Sequence, residues 1–301
     1  MAVFIVNLYR SLLPKEMRSR IYKLFLGDIL FFFRNFKECL RCKWYLIYYF
    51  FRKPKNDQER AYLLLGKMGV SPYPYLWRKG YERIDYPSYI DTENALPYVL
   101  HKQKRLYFKR SMSDIVSDVY RSLLIEQDER SAHCYIKSYD ELKNKVLLDI
   151  GSAEAYFALE MIDIVKHVYL FECDEDWIEA LNATFRPWSD KVTIIRSYIS
   201  DVDNGVDSMT LDHFFREKSA DNLFIKMDIE GYERKALQGC KKLLSSFRNI
   251  SGAICIYHRH DDEEVIEKYL CNNACRTSIQ PGYLYFEKEM RHAVLHFSQN
   301  R

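Results

Sequence analysis

The amino-acid sequence predicts an α/β fold built on a mostly parallel sheet with an antiparallel edge strand, preceded by a helical N-terminal extension. Residues 146–150 form a continuous apolar run, which suits a strand buried on both faces. A second apolar run ends at Glu172, 21 residues after Gly151, and the residues between the two runs suit a helix. Strand, turn, helix and strand in this order are typical of a nucleotide-binding βαβ unit.

The alternation of strands and helices continues toward the C-terminus. Further strands are predicted at residues 192–196, 222–227 and 252–257, and further helices at residues 176–185, 233–247 and 263–271. Two short strands, residues 276–279 and 283–287, flank the turn at Pro281-Gly282. A tight turn of this kind predicts that the two strands pair with each other in antiparallel fashion at the sheet edge.

The 301-residue chain is long enough for one well-buried domain and an appendage. We expect a ligand-binding α/β domain at residues 142–301, a connector and lid region at residues 54–141, and a helical extension at residues 1–53. Within the connector, residues 98–109 suit two short strands around a polar turn, and residues 114–124 suit a helix.

The polar run at residues 125–135 directly precedes the first core strand and allows two interpretations. It is either a lid over the ligand site or a solvated helix end in which Ser131 caps a turn.

The helical extension is basic and aromatic. Residues 1–60 contain thirteen Lys or Arg against five Asp or Glu, a charge of +8, so the rest of the chain carries −5 of the total of +3. This mixture suits an interfacial helix on an anionic membrane. It also suits a helical cap whose aromatic residues pack on the α/β domain while its basic groups are solvated. A nucleic-acid-binding segment is disfavoured, since no recognised nucleic-acid-binding module is visible. No apolar run reaches the roughly 18 residues that span a bilayer, and no secretory signal is visible.

The eight cysteines follow no disulfide framework, which indicates a reducing compartment. Cys39-x-x-Cys42 lacks a second ligand pair and Cys271-x-x-x-Cys275 has no nearby histidine, so zinc is not expected at either. We therefore predict a cytoplasmic protein, with peripheral contact at the inner membrane face through residues 1–53 as the alternative to a packed cap.

Acidic residues at strand ends predict ligand binding. Asp149 and Gly151 close the first core strand, and Glu172 closes the second, where a carboxylate can accept both hydroxyls of a ribose. A dinucleotide site normally needs three glycines near the pyrophosphate, but Ala153 and Ala155 occupy the later small-residue positions. The pattern therefore favours a ribose-containing ligand without phosphates, such as S-adenosylmethionine, over the nicotinamide cofactor of an oxidoreductase.

The most informative stretch is the charged end of the fourth strand. Lys226, Asp228, Glu230 and Glu233 concentrate charge where a buried strand leads into a helix. Because unpaired buried charge is costly, such a cluster is usually kept for chemistry or binding, although a strand followed by an acidic helix cap has the same pattern. We expect Asp228 and Glu230 to face the reaction, Glu233 to cap the helix, and Lys226 to form a buried pair with Asp228.

Together these motifs resemble the FkbM-type S-adenosylmethionine-dependent methyltransferases. The resemblance covers roughly residues 142–286, and its most specific element is the Lys226-x-Asp228-Ile-Glu230-Gly231-x-Glu233-x-x-x-Leu237 stretch. It also includes Asp149-x-Gly151, Glu172 and Thr210-Leu-Asp212. The chain departs from the family at three positions: Ala155 stands for a usual Gly, Cys173 for a Pro, and Ile256, two residues before His258, for a Glu.

The resemblance implies a class I methyltransferase fold with a Rossmann-like sheet, and methyl transfer from S-adenosyl-L-methionine to a hydroxyl of a sugar, glycan, glycolipid or secondary metabolite. Asp149 and Gly151 are expected on the methionine side of the cofactor, Glu172 at the ribose hydroxyls and Asp201 at the adenine amino group. Ser152 is a further expected cofactor-binding residue.

Asp228, Glu230 and His258 are the expected catalytic residues. His258 is attractive as a base because an imidazole titrates near neutrality. Methyl transfer requires no metal, and none is predicted. The departures at Ala155 and Ile256 motivate an alternative, a non-catalytic scaffold or interaction protein with a decayed cofactor pocket.

Overall fold

The structure is a computed structural model. It describes Phe33 and residues 35–217, 222–246 and 249–299, so most of the predicted N-terminal extension lies outside the described residues. The chain divides into two compact units, residues 1–75 and residues 76–301.

The first unit contains two packed helices, α1 (Phe36–Phe51) and α2 (Asp57–Met68). The Asn56 side chain caps α2 by accepting a hydrogen bond from the Glu59 amide at 2.8 Å. Gly66 of α2 allows close contact between the helices, because a Cβ there would lie 2.8 Å from the carbonyl oxygen of Cys42 in α1. Within the part of the chain that is described, no helix is long and apolar enough to cross a membrane.

The N-terminal part of the second unit carries a small antiparallel sheet and two helices. Its strands follow the order β1-β2-β3, with bounds β1 (Ser88–Ile90), β2 (Pro97–His101) and β3 (Lys104–Tyr107). Two short helices of this region are α3 (Lys79–Glu82) and α4 (Val116–Glu126). The two strands predicted around a polar turn are confirmed, and β1 adds a third.

A seven-stranded sheet forms the centre of the second unit. Its order is β11-β14-β10-β9-β4-β5-β6, with bounds β4 (Val146–Ile150), β5 (His167–Glu172), β6 (Val192–Arg196), β9 (Leu223–Met227), β10 (Ile250–Cys255), β11 (Arg276–Ile279) and β14 (Val294–Gln299). All neighbours are parallel except β14, which is antiparallel to both β10 and β11. The predicted Rossmann-like fold is confirmed, with the reversed strand one place in from the edge.

The expected pairing around Pro281-Gly282 is wrong. β11 pairs with β14, whereas β12 (Leu284–Phe286) pairs with β13 (Glu289–Arg291) in a separate two-stranded sheet. The reason is that β14 inserts between β10 and β11 and takes the hydrogen bonds that β11 would otherwise offer to its sequence neighbour. A further two-stranded sheet pairs β7 (Tyr198–Ile199) with β8 (Ser208–Met209).

Helices connect the strands of the sheet. Their bounds are α5 (Tyr156–Met161), α6 (Glu175–Phe185), α7 (Leu211–Phe214), α8 (Glu233–Gln238), α9 (Lys241–Ser246) and α10 (Asp262–Asn272). The single helix predicted at residues 233–247 is divided in two at Gly239. This residue packs against the Ser200 carbonyl, and an added Cβ would lie 2.1 Å from the oxygen.

Candidate functional site

A cavity of about 750 Å³ lies beyond the carboxyl ends of four neighbouring parallel strands. Its wall includes Gly151 after β4, Glu172 at the end of β5, Ser197 after β6 and Asp228 after β9. Ligands of open parallel sheets bind at this edge, so the cavity is the candidate site.

The turn after β4 is shaped by a close approach of two backbone segments. Gly151 has a φ of +76°, and a Cβ at this position would lie 2.0 Å from the Asp228 carbonyl oxygen. Glycine is therefore required here for both conformation and space. Lys226 fastens the same turn, because its ammonium donates a hydrogen bond of 2.6 Å to the Gly151 carbonyl.

Lys226 pairs with Asp149, whereas the sequence predicted a pair with Asp228. The two residues stand opposite each other in the β4–β9 register, and Lys226 Nζ lies 3.0 Å from Asp149 Oδ1. Burial lowers the pKa of Lys226, but the carboxylates of Asp149 and Asp228 outweigh this and raise it, so the ammonium stays charged. Asp149 is only 1% exposed and is absent from the cavity wall, which places it behind the turn.

Glu172 is held by three backbone amides. Ala153 N donates to Oε2 at 2.8 Å, and the amides of Cys173 and Asp174 donate to Oε1 at 2.8 Å. A Pro at position 173 could not make the second of these contacts, so the departure from the family pattern adds a hydrogen bond. Since a carboxylate can accept about four hydrogen bonds, Glu172 keeps capacity for a ligand hydroxyl on its Oε2 side.

Ser152 and Asp201 lie outside the cavity wall. Ser152 is buried, and its hydroxyl donates to the Phe171 carbonyl at 3.1 Å. Asp201 is exposed, and its carboxylate accepts from the Ser200 hydroxyl at 2.9 Å. Ser200 and Tyr198 line the cavity instead. Tyr198 has little signal in the sequence, because it follows the third strand in a two-residue strand of its own.

Asp228 lies on the cavity wall beside two imidazoles. Its Oδ2 accepts a hydrogen bond of 2.9 Å from the Tyr135 hydroxyl and lies 3.7 Å from His133 Nε2, while Oδ1 lies 3.5 Å from His258 Nε2. Burial raises the pKa of Asp228, but His133, Lys226 and His258 lower it by more, so the group is a stable carboxylate.

His258 follows β10 and lies between carboxylates. Its Nδ1 is 3.0 Å from Glu233 Oε1, and its Nε2 is 3.6 Å from Glu230 Oε2. Burial lowers the pKa of His258, but Glu233, Asp228 and Glu230 together raise it. Glu233 also accepts the Ile229 amide at 2.9 Å, so it holds the turn before α8 as well as the imidazole. Ile256, which stands where the family has a Glu, is buried in the core.

The polar segment before β4 contributes residues to the site that sequence reasoning did not select. Residues 131–136 are all buried and therefore not solvated, but Ser131 caps a turn as the second interpretation expected, since its hydroxyl accepts a hydrogen bond of 3.2 Å from the His133 amide. His133 Nδ1 lies 3.4 Å from Glu126 Oε1, and Tyr135 contacts Asp228. Only the density of polar and aromatic residues in this segment signalled its role.

Glu154 is a second residue that the sequence did not single out. It lies in the turn between β4 and α5, and burial raises the pKa of its carboxyl to about 8. A carboxyl in this state carries its proton near neutrality.

The comparisons with known proteins agree with the sequence motifs. Residues 181–274 match a family model described as the Methyltransferase FkbM domain. A search of curated proteins gives no significant match. Similar solved structures include the methyltransferase FkbM from Methylobacillus flagellatus, with 20% identity, a TM-score of 0.41, and coverage of 62% of this chain and 60% of that one.

Two further similar structures are less alike in sequence. They are precorrin 8w decarboxylase from Methanobacterium thermoautotrophicum (12% identity, TM-score 0.35, covering 53% of this chain and 83% of that one) and precorrin-6y C5,15-methyltransferase from Geobacter metallireducens (10% identity, TM-score 0.37, covering 54% and 85%). The match of residues 181–274 to the FkbM methyltransferase model agrees with the resemblance drawn from the strand-end motifs.

Proposed function

We propose that this protein transfers a methyl group from S-adenosyl-L-methionine to a hydroxyl oxygen of a sugar, glycan, glycolipid or secondary metabolite. The family match supports a methyltransferase, and the observation that carries the finer proposal is the position of Asp228. This carboxylate borders the same cavity as Glu172, so a cofactor-binding group and a proton-accepting cluster meet in one site.

The residues of the cavity fit the cofactor. A volume of about 750 Å³ suits a nucleoside-sized ligand. Glu172 has acceptor capacity for ribose hydroxyls, Trp177 and Ile199 offer apolar walls for a base, and Gly151 leaves backbone space where a side chain would intrude. When bound, adenosylmethionine supplies a methyl group on a positively charged sulfur.

The other residues of the site would bind the acceptor and remove its proton. Asp228 orients the acceptor hydroxyl, and the proton passes to the Asp228–His258 pair as the oxygen becomes nucleophilic. Glu230 is almost fully exposed at the rim, which suits contact with the acceptor. Asp149 acts indirectly, since its partner Lys226 holds the Gly151 carbonyl and so fixes the turn.

Calorimetry with S-adenosylhomocysteine tests the cofactor site. We expect the wild type to bind and Glu172→Gln to weaken binding at least tenfold, because the amide nitrogen cannot accept hydrogen bonds from the backbone donors. Glu179→Gln, an exposed residue of α6 paired with Arg110, is the matched control and should bind normally. Equal affinity of wild type and Glu172→Gln would contradict the site, and no binding by the wild type would favour the scaffold alternative.

Methyl transfer to a panel of sugar and glycan acceptors tests the chemistry. Asp228→Asn should lower turnover by about a hundredfold or more while adenosylhomocysteine affinity changes little, since general-base contributions are of this size. Equal activity of the variant and the wild type would exclude Asp228 from the reaction.

We also propose that the N-terminal region contacts an anionic membrane surface. The observation that supports this is the exposure of Trp44, Phe50 and Phe51 on α1, at 62%, 78% and 83%. Large exposed aromatic groups beside basic residues suit the headgroup region of a bilayer.

A further inference from the structure

A second cavity, of about 530 Å³, lies in the second unit and shares no lining residue with the candidate cofactor cavity. Its volume is within the range of about 300–1,000 Å³ that is usual for small-molecule sites. Its wall includes residues of α5 and of the polar segment before β4. Four aromatic residues line it: Tyr81, Tyr139, Tyr156 and Phe157.

Tyr156 brings a hydroxyl without a protein partner to this cavity. The residue is only 8% exposed, and its ring packs against the rings of His101 and Tyr120. Among the described residues its hydroxyl has no hydrogen-bond partner. Burial raises the pKa of Tyr156, so the hydroxyl keeps its proton and can donate it. A buried hydroxyl without a partner is costly, and a ligand that hydrogen-bonds to it removes that cost.

Tyr81 offers an acceptor on the same wall. Its hydroxyl donates a hydrogen bond of 2.6 Å to Asp128, so the proton is used and the phenol oxygen keeps lone pairs for a ligand. Asp128 itself is fully occupied. It also accepts from Arg130 through the amide at 2.9 Å, through Nε at 2.7 Å and through Nη2 at 2.6 Å.

Glu160 offers a second acceptor. Its carboxylate accepts hydrogen bonds from His101 Nε2, the Lys102 ammonium and the Tyr139 hydroxyl. Burial raises the pKa of Glu160, but these hydrogen bonds lower it further, to about 2, so the group is a stable carboxylate. A carboxylate has about four acceptor positions, and three are used here. One position therefore remains for a ligand hydroxyl.

We propose that the second cavity binds a neutral sugar residue. Tyr156 can donate to one sugar hydroxyl while Tyr81 and Glu160 accept from others. The faces of aromatic rings are partly negative, so they suit the partly positive C–H groups of a sugar ring. A phosphorylated ligand is disfavoured, because four carboxylates and a single lysine line the cavity: Asp128, Glu129, Asp140 and Glu160 against Lys137.

The second cavity is adjacent to the cofactor cavity and yet separate from it. The Phe157 ring lies 5.3 Å from the Tyr135 ring, and the Tyr135 hydroxyl donates to Asp228 at 2.9 Å. Two side chains thus join the two walls, but no residue lines both cavities, so both can be filled at once. Binding of a sugar needs neither cofactor nor methyl transfer, and the proposal therefore stands independently of the proposed function.

The experiment measures binding of the methyl glycosides of glucose, galactose, mannose and N-acetylglucosamine to the full-length protein by saturation-transfer NMR and calorimetry. We expect at least one of them to bind, and its 6-phosphate to bind more weakly. Tyr156→Phe should weaken the binding by about fivefold, the usual effect of losing one hydrogen bond. Tyr89→Phe loses the same hydroxyl group from a 42% exposed residue of β1 outside the cavity, and it should bind like the wild type.

Two controls locate the bound sugar. Saturating adenosylhomocysteine should leave sugar affinity unchanged, since it fills the other cavity. In thermal melts Tyr156→Phe should be at least as stable as the wild type, because it loses no internal hydrogen bond. A lower melting temperature would show that the hydroxyl has a partner inside the protein, which overturns the basis of the proposal.

The proposal is also overturned if none of the glycosides binds, if the 6-phosphate binds as tightly as the glycoside, or if Tyr156→Phe binds with unchanged affinity. Displacement of the sugar by adenosylhomocysteine would assign it to the cofactor cavity instead. In each of these cases binding of adenosylhomocysteine by the wild type would leave the proposed function unaffected.

Discussion

At the scale of single residues, the turn after β4 holds two alanines in left-handed backbone conformations. φ is +47° at Ala153 and +55° at Ala155, where Ala155 directly precedes α5. A residue with a Cβ adopts this conformation at a cost of about 1 kcal/mol. Ala155 is not part of the cavity wall, so its extra methyl group costs backbone strain and leaves the cofactor space unchanged.

Ala155→Gly should therefore stabilise the protein by about 0.5–1 kcal/mol, since glycine relieves the left-handed strain. Ala158→Gly is the matched control: it lies within α5, where glycine lowers stability by a similar amount. Urea unfolding of both variants checks the signs. Destabilisation by both substitutions would show that packing of the Ala155 methyl group outweighs its backbone strain.

The raised pKa of Glu154 predicts a pH dependence of stability. Burial raises the pKa of its carboxyl from the ordinary value of 4.5 to about 8, so the folded state binds this proton more tightly than the unfolded state. The protonated carboxyl contributes its full stabilisation below the pKa that it has in the unfolded chain. This stabilisation is lost as the pH rises to about 8, the pKa in the folded protein. The slope from one such group is at most about 1.4 kcal/mol per pH unit.

Glu154→Gln should remove this pH-dependent contribution. Between about pH 5 and pH 8 the unfolding free energy of the variant should therefore fall less than that of the wild type. This interval lies between the unfolded and folded pKa values of the carboxyl, roughly 4 and 8. Glu264→Gln, an exposed residue of α10, is the control and should follow the wild type. Parallel curves for Glu154→Gln and the wild type would show that Glu154 is ionised in the folded protein.

The role of a residue could be predicted from the sequence where it follows from the position of the residue at the end of a strand. It could not be predicted where it follows from the register between two strands or from contact with a distant segment of the chain. Glu172 reaches the cavity because it ends β5. The partner of Lys226 is set by the β4–β9 register, which the sequence does not specify. The contact of His133 with Asp228 joins residues from separate segments, and no local pattern indicates such a meeting.

At the scale of elements, the parallel strands were predictable because each is a continuous apolar run between helices. The strand that was missed, β14, contains His296, Ser298 and Gln299, so its sequence lacks a simple apolar pattern. It nevertheless lies between β10 and β11. Gly252 of β10 shows how tightly this part of the sheet packs, since an added Cβ would lie 2.2 Å from the Ile225 carbonyl oxygen and 2.6 Å from the Phe297 ring.

Gly252→Ala should destabilise the protein by at least 1–3 kcal/mol, the usual cost of overpacking, because the Ile225 contact is with backbone and cannot rotate away. Adding Phe297→Leu should recover only part of the loss, since it relieves the ring contact alone. Gly80→Ala, where an added Cβ meets nothing within 4 Å, is the control and should not destabilise the protein, since alanine is also the better helix former within α3. If thermal melts give Gly252→Ala and Gly80→Ala the same melting temperature, the strands separate readily at this point.

At the scale of the whole molecule, charge is distributed unevenly along the sequence. Residues 1–60 carry +8 and the remaining residues carry −5. An anionic surface therefore attracts the N-terminal region and repels the rest, so any binding to acidic lipid must come from the basic region. The exposed aromatic groups of α1 lie within that region, whereas the candidate cofactor cavity is lined by residues 150–232.

The full-length protein should accordingly sediment with vesicles that contain phosphatidylglycerol and not with vesicles of phosphatidylcholine alone, and added salt should weaken this binding because it screens the charges. The combined substitution Trp44→Ser, Phe50→Ser and Phe51→Ser should lower vesicle binding at least tenfold, since it removes three large exposed apolar groups. Val206→Ser, at an 87% exposed apolar residue of the second unit, is the control and should bind vesicles normally. All of these variants should keep wild-type affinity for adenosylhomocysteine. Equal sedimentation of the triple variant and the wild type would assign the exposed aromatics to a contact other than lipid.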